Sequence, residues 1–478
     1  MSHKPIILSD ISLFINQKTC FEHFSTQIHP GRHIVIIGSN GTGKSTLLKI
    51  IQGILPPTQG TITLEAEIVF GYVAQTITDY PQLSGGQRFN KALSHTLSLE
   101  PDVLCLDEPT NHLDLNNKRS LIGMLQKYKG TLLVASHDPE VLTLDFDEIW
   151  HIEHGTITVF QGNYAAYLKE HAVKQHFVKQ QRERLEKEKN QLRKMIEKER
   201  KRTAQSKAAN QFENDRNLLV RMKETGSHTA GRNSKKLAKA QEIIQQKLVG
   251  NFVHKHIEPK FTLDAAKLAL EKSVVYIVDG SCGYKEPILN TIYLQVKAAD
   301  RIAIIGDNGT GKSTFIKAVL RDPSIVIDGQ WLMPTQHTIG YLDQHYANLE
   351  PQNTVIQAIE KVAPDWDNLH IRKHLNDFLF STQEQVTTKV AHLSGGEKAR
   401  LSLAFIAAQS PYLLLLDEIT NNVDLATREH IIQVLQKYPG AMIIVSHDLQ
   451  FLQALSVHTI YQTNNGKLEV SYADTENQ

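Results

Sequence analysis

The chain has 478 residues, 52 Lys+Arg against 51 Asp+Glu, a formal net charge of +1 and a hydrophobic fraction of 41%. That length predicts two or three domains, each large enough to bury its own core. With no run of about 18 apolar residues a membrane span is excluded; the opening MSHKPIILSD lacks a signal-peptide pattern; and three scattered cysteines, Cys20, Cys105 and Cys282, argue for a reducing compartment and against a Cys-rich metal site.

In chain order, RHIVII reads as a short strand. It feeds the glycine loop GSNGTGKS, Gly38 to Ser45, and then the helical LLKIIQGIL. Strand, glycine loop and helix in that order form the phosphate-loop context. Gly38, Gly41 and Gly43 let the backbone N–H groups around Asn40 turn toward phosphate oxygens, and the helix start at Thr46 adds its dipole. Lys44 reaches the β- and γ-phosphates of ATP, and Ser45 offers a hydroxyl to Mg²⁺. Gln75 follows in YVAQ. LSGGQ then places Ser84, Gly85, Gly86 and Gln87 at a helix start, a second anion cradle. The apolar strand DVLCLDE ends on Asp107, a Mg²⁺ ligand through water, and Glu108, which can polarise the attacking water. Asp114 closes TNHLD, and LLVASHD ends at His137, where an imidazole can meet the γ-phosphate.

The middle of the chain is different. Residues 169–247 hold 22 Lys+Arg against 10 Asp+Glu, an excess of twelve positive charges that leaves the remainder net acidic. Val178, Leu185 and Leu192 recur every seven residues, with Met195 and Ile196 continuing the stripe, and Leu237, Ile244 and Leu248 form a second stripe. The residues between are good helix formers, with Glu197–Lys201 at the favourable i,i+4 spacing. A narrow apolar seam buries only against a similar helix, which predicts an antiparallel helical hairpin turning near Gly226–Gly231. Its charge predicts attraction to a phosphate-rich polymer. Lys207, Phe212, Arg216, Leu218, Met222, Lys223, Arg232, Lys235 and Lys236 are the candidate RNA contacts at and beside the tip.

The second half repeats the first. IAIIGDNGTGKS carries Gly306, Asn308, Gly309, Gly311, Lys312, Ser313 and Thr314. Gln344 follows in YLDQ, then Ser394, Gly395, Gly396 and Glu397 in LSGGE, Asp417 and Glu418 in LLLLDE, and His447 in IIVSHD. Lys44 to Lys312 is an offset of 268 residues and Gln75 to Gln344 is 269, whereas Ser84 to Ser394 and His137 to His447 are both 310. The second half therefore carries 41 extra residues, all between the Gln and the LSGG motif, at about 350–389.

These motifs resemble the nucleotide-binding domains of ABC ATPases, and two of them flanking a basic helical hairpin resemble the ABC-F family over nearly the whole chain. The resemblance implies an α/β fold: two tandem ABC-type P-loop domains, 1–163 and 261–478, joined by a hairpin linker at 164–260. It implies that Phe14 and Tyr284 stack on adenine, that Gln75 and Gln344 join Mg²⁺, and that ATP lies between each phosphate loop and the opposite LSGG motif. It further implies a cytoplasmic, ribosome-binding ATPase, monomeric with its cassettes paired. Its linker would approach the tRNA exit site and peptidyl-transferase region and contact 23S rRNA and P-site tRNA, with no membrane subunit and no DNA. Antibiotic resistance by ribosome protection and housekeeping relief of stalled ribosomes both remain open. Two departures predict unequal sites: Asn90 stands where the family carries Arg, and TNHLD becomes TNNVD in the second half.

Overall fold

The computed structural model describes residues 3–15, 18–64, 68–75, 77, 82–83, 85–111, 113–212, 273–343, 346–420 and 423–471. The first half begins with β1 (Ile6–Ile15), β2 (Lys18–Ile28), β3 (His33–Gly38), α1 (Lys44–Ile51), β4 (Gln59–Thr63) and β5 (Phe70–Val73). It continues with α2 (Gly85–Ser98), β6 (Val103–Asp107), α3 (Leu115–Lys127), β7 (Thr131–Ala135), α4 (Pro139–Leu142), β8 (Glu148–Glu153) and β9 (Thr156–Gln161). One antiparallel sheet has the order β2-β1-β4, and the other has the order β5-β6-β7-β3-β8-β9. The second sheet is parallel from β5 to β8, and β9 returns antiparallel along β8.

β6 and β7, reading VLCLD and TLLVA, are buried at every residue. Continuous apolar runs of this kind belong to parallel strands covered on both faces. The two sheets share one core: Phe21 from β2, Ile34 from β3, Leu47 from α1 and Trp150 from β8 are all fully buried in it. Trp150 packs edge-on against Phe24 with centroids 5.1 Å apart, and its indole N–H donates to Glu148 Oε2 at 3.0 Å.

The helix α5 (Tyr164–Phe212) follows β9, with 49 residues. At 1.5 Å per residue it is about 74 Å long. Its surface pairs Glu197 with Lys201 at 2.9 Å and Arg184 with Glu188 at 3.5 Å, both at i,i+4. The chain divides into two compact units, one containing both halves of the repeat and the other spanning 165–256. The expected turn at Gly226–Gly231 and the returning stripe of Leu237, Ile244 and Leu248 lie outside the described residues. No helix among the described residues is long and apolar enough to cross a membrane.

The second half has β10 (Ser273–Gly283), β11 (Pro287–Lys297), β12 (Arg301–Ile305), α6 (Lys312–Val319), β13 (Val326–Leu332) and β14 (Ile339–Leu342). Three helices fill the extra segment: α7 (Val355–Val362), α8 (Asn368–Asp377) and α9 (Gln383–Thr387). Then come α10 (Gly395–Gln409), β15 (Leu413–Asp417), α11 (Leu425–Gln436), β16 (Ala441–Val445), α12 (Leu449–Ala454), β17 (Thr459–Asn464) and β18 (Lys467–Ser471). The sheet orders are β11-β10-β13 and β14-β15-β16-β12-β17-β18, element for element those of the first half. Thr354 starts α7 with a capping box to Gln357, and Ile359, Ile371, Leu375 and Phe378 bury this helical layer in one core with Leu401, Leu414 and Ile444.

Candidate active site

Both phosphate loops leave the carboxyl ends of parallel strands, where open α/β sheets place their ligands. The loop after β3 ends at Gly43, which caps α1 at φ +97°. A Cβ there would stand 3.0 Å from Leu13 Cδ2 and 3.3 Å from Cys20 Cβ, so both conformation and space require glycine. Lys44 is buried, and its ammonium donates to the carbonyls of Gly38 at 2.8 Å and Ser39 at 3.3 Å. It also meets His137 Nε2 at 2.6 Å. Burial, aided by the Lys44 charge, pushes the His137 imidazole down to about 3. The ring is therefore neutral, Nε2 accepts from Lys44, and the ring proton sits on Nδ1.

Ser45 Oγ donates to Asp107 Oδ1 at 3.1 Å, and the Tyr72 hydroxyl donates to Asp107 Oδ2 at 3.3 Å. Burial raises the Asp107 carboxyl, against the pull of these hydrogen bonds and of Lys44. A hydroxyl and a carboxylate meeting at the loop are hard oxygen donors of the kind Mg²⁺ takes. Glu108 sits in the left-handed region at φ +46°, and Glu418 does the same at φ +52°. Non-glycine residues held there mark sites where the surrounding fold dictates the backbone. The N–H of Glu108 donates to Ala135 O at 2.8 Å, and its Oε2 accepts from the N–H of His137 at 3.2 Å. Burial pushes the Glu108 carboxyl up to about 7, with Lys44 opposing. Its Oε1 is buried without a hydrogen-bond partner among the described residues, 3.3 Å from His137 Nε2.

The second loop follows the same plan with looser contacts. Lys312 donates to Gly306 O at 2.7 Å and Asp307 O at 2.8 Å, and Ser313 Oγ donates to Asp417 Oδ1 at 3.4 Å. Burial pushes Asp417 up to about 6 and His447 down to about 4. His447 Nε2 lies 3.6 Å from Glu418 Oε1. Tyr284 is 46% exposed, with Lys317 Nζ 5.9 Å from its ring centre.

The halves meet at these loops. The Asn40 N–H donates to Asp424 Oδ2 at 3.4 Å, and Asn116 Nδ2 donates to Asp307 Oδ1 at 3.2 Å. Asp424 also acts electrostatically on Lys44 and His137, and Asp114 acts on Lys312 and His447. A cavity of about 510 Å³ brings Gly85 of the first LSGG motif to Asn308, Gly309 and Glu418 of the second half. Another, of about 350 Å³, joins Gly41, Lys44, Ser45, Thr46 and Glu108 to Val423 and His447. Gln75 lines both.

Not every expected residue converges. Ile15 lines the cavity beside Lys44, and its neighbour Phe14 stands outside that wall. Gly86 is buried in the first turn of α2 and Gln87 is exposed there. Ser394 caps α10: its hydroxyl donates to Glu397 Oε2 at 2.7 Å. Ser394 and Gly396 do not line the cavity at Lys44; a Cβ on Gly396 would stand 2.7 Å from Thr427 Oγ1. Gly395 shares that helix start, Gly311 caps α6 at φ +99°, and Thr314 is buried behind it. Ser84 and Gln344 lie outside the described residues. Lys207 and Phe212 fall in the last turns of α5, and Arg216, Leu218, Met222, Lys223, Arg232, Lys235 and Lys236 lie outside the described residues. The sequence reading missed the reach of Asp114, Asp424, Asn116 and Asn117 across the halves. The one available signal was the six-residue step from Glu108 to Asp114, repeated from Glu418 to Asp424.

A family model described as ABC transporter matches residues 21–77 and 289–421, and another of that description matches 150–230. A model described as an AAA domain, putative AbiEii toxin of a type IV TA system, matches 68–143. The chain is 30% identical over 495 residues to the ribosome protection protein VmlR of Bacillus subtilis (strain 168), covering 96% of this chain and 87% of that one. It belongs to the ABC-F family. This ABC-F chain is also 28% identical to a probable ATP-binding cassette sub-family F member 3 homolog of Encephalitozoon cuniculi, covering 97% of this chain and 81% of that protein. Among solved structures, an RNase-L inhibitor superposes with a TM-score of 0.60 at 18% identity, covering 97% of this chain and 89% of that one. The archaeal ribosome recycling factor aABCE1, solved in complex with the ribosomal stalk protein aP1, gives 0.59 at 17% identity, covering 96% and 89%. At such identity these two establish the shared ATPase fold.

Proposed function

We propose that this ABC-F protein is a cytoplasmic ribosome-binding ATPase with two composite sites, and that ATP controls how its basic linker is presented to ribosomal RNA. The observation that carries the reading is the reciprocal reach of Asp424 toward Lys44 and of Asp114 toward Lys312. Each half completes the other, so the γ-phosphate acts as a bridge between them and its loss releases the pair.

In the first site Lys44 and the loop N–H groups bind the phosphates, and Ser45, Gln75 and Asp107 are the residues that would hold Mg²⁺. In the second site Lys312, Ser313, Gln344 and Asp417 have those parts. Bound Mg²⁺ neutralises charge on the phosphate oxygens. Glu108 and Glu418 orient and polarise the attacking water, and the neutral imidazoles of His137 and His447 face the γ-phosphate. The LSGG motifs close each site from the opposite half.

Similarity to a ribosome protection protein along nearly the whole chain favours protection against ribosome-targeting antibiotics, with the linker directed to the tRNA exit site and peptidyl-transferase region and touching 23S rRNA and P-site tRNA. The linker's RNA contacts would be mainly phosphate-directed and sensitive to salt. The comparable identity to the Uup ATP-binding protein of Buchnera aphidicola, 30% over 94% of this chain, keeps general relief of stalled ribosomes as the second reading. Expression in a drug-sensitive host, with inhibitory concentrations measured across ribosome-targeting antibiotics, separates them. A rise for one drug class is expected; no rise for any drug rejects protection.

A further inference from the structure

We propose that Asn90, Asn116 and Asn117 are positioning residues that tie the first signature helix to the phosphate loop of the second ATP site, a linkage without a counterpart at the first site. The proposal rests on the two-site reading and makes the sites unequal.

Asn90 lies on α2, two turns beyond the start of the LSGG motif's helix. Its Nδ2 donates to Asn117 Oδ1 at 2.7 Å. Asn117, on the first turn of α3, holds Asp114: its Nδ2 donates to Asp114 Oδ1 at 2.8 Å and its N–H to the same oxygen at 2.9 Å. Asp114 in turn acts on Lys312 and His447. Between them, Asn116 donates across the halves to Asp307 Oδ1 at 3.2 Å. Asp307 follows the first glycine of the second phosphate loop, and its carbonyl accepts from Lys312 at 2.8 Å. A shift of α2 is thus carried through short neutral hydrogen bonds into the loop that grips the second nucleotide.

The corresponding positions of the other half are Arg400, Ala426 and Thr427, facing Ser39 in place of Asp307. Ala426 has no side-chain donor. Arg400 lies 5.9 Å from the Phe380 ring centre, and its Nε is buried without a hydrogen-bond partner among the described residues. Asp424 there takes the Asn40 N–H directly. A direct contact on one side and a three-residue relay on the other give the two sites different mechanical inputs.

The test is vanadate trapping of azido-ATP on the full chain, with the label mapped separately to the peptides bearing Lys44 and Lys312. Asn116→Ala/Asn117→Ala should lower trapping at the Lys312 loop at least about fivefold, while the Lys44 loop changes by less than about twofold. Asn90→Arg/Asn117→Thr, which copies the other half and keeps Asn116, should restore the Lys312 signal to within about twofold of the parent. Equal losses at both loops, or no loss, overturn the proposal. A parent chain that traps at one loop alone rejects the two-site reading and the proposal with it.

Discussion

Lys44 Nζ lies 2.6 Å from His137 Nε2, and both groups are buried. Two cations cannot share that distance in a dry site, so the ammonium keeps its charge and the imidazole stays neutral. The histidine then acts as an acceptor that holds the lysine in the loop. His137→Ala removes that acceptor without touching the backbone carbonyls, and turnover should fall about tenfold or more. Steady-state phosphate release measures it; unchanged turnover would show that the pair has no part in the reaction.

Glu108 supplies a prediction in pH. Its carboxyl is pushed up to about 7, above the ordinary value of 4.5. A raised carboxyl favours the fold while protonated, so that stability is fully present below about 4.5 and is lost as pH rises through about 7. Above that, ionised Glu108 costs on the order of 3 kcal/mol in the nucleotide-free protein. Glu108→Gln should therefore melt higher than the parent at pH 8, with the gap closing toward pH 5, while hydrolysing ATP at least about a hundredfold more slowly. A gap that widens on acidification would reverse the assignment of burial as the cause.

Gly43→Ala places a Cβ at φ +97° and 3.0 Å from Leu13 Cδ2. Strain of this kind costs about 1–3 kcal/mol. Thermal melting should drop by several degrees, and nucleotide affinity should weaken because Lys44 is the next residue. An unshifted melt would mean that the loop relaxes freely.

Gly396→Ala brings a methyl to 2.7 Å from Thr427 Oγ1, whereas Thr427 Cβ is 3.4 Å away. The clash is therefore with the hydroxyl, and Thr427→Ala removes it. The double variant Gly396→Ala/Thr427→Ala should be more stable than Gly396→Ala alone by about 1 kcal/mol in urea unfolding, a non-additive result expected of neighbours. Additive losses would place the strain elsewhere.

The phosphate loops were legible from residues alone because their chemistry is local: strand, glycines, lysine and helix start lie within fifteen residues. Repetition of the motifs likewise announced two copies of one fold, and the sheet orders match strand for strand. The long helix through Phe212 was legible for the same reason, since charged helix formers and a sparse stripe are a short-range pattern. The contacts across the halves were not. Asn40 and Asp424 are 384 residues apart, and no local spacing pairs them. Nor does a motif announce that Ser394 is held by Glu397, or that Ile15 takes the wall position expected of Phe14. Such details depend on how the halves pack.

The most direct measurement is co-sedimentation of Glu108→Gln/Glu418→Gln with ribosomes. Both carboxylates that polarise water are then gone, while the loops, the lysines and the linker remain. With ATP the variant should pellet with ribosomes, with ADP it should not, and the ATP-dependent fraction should fall as salt rises, as phosphate-directed contacts require. Free sedimentation in ATP would contradict the account.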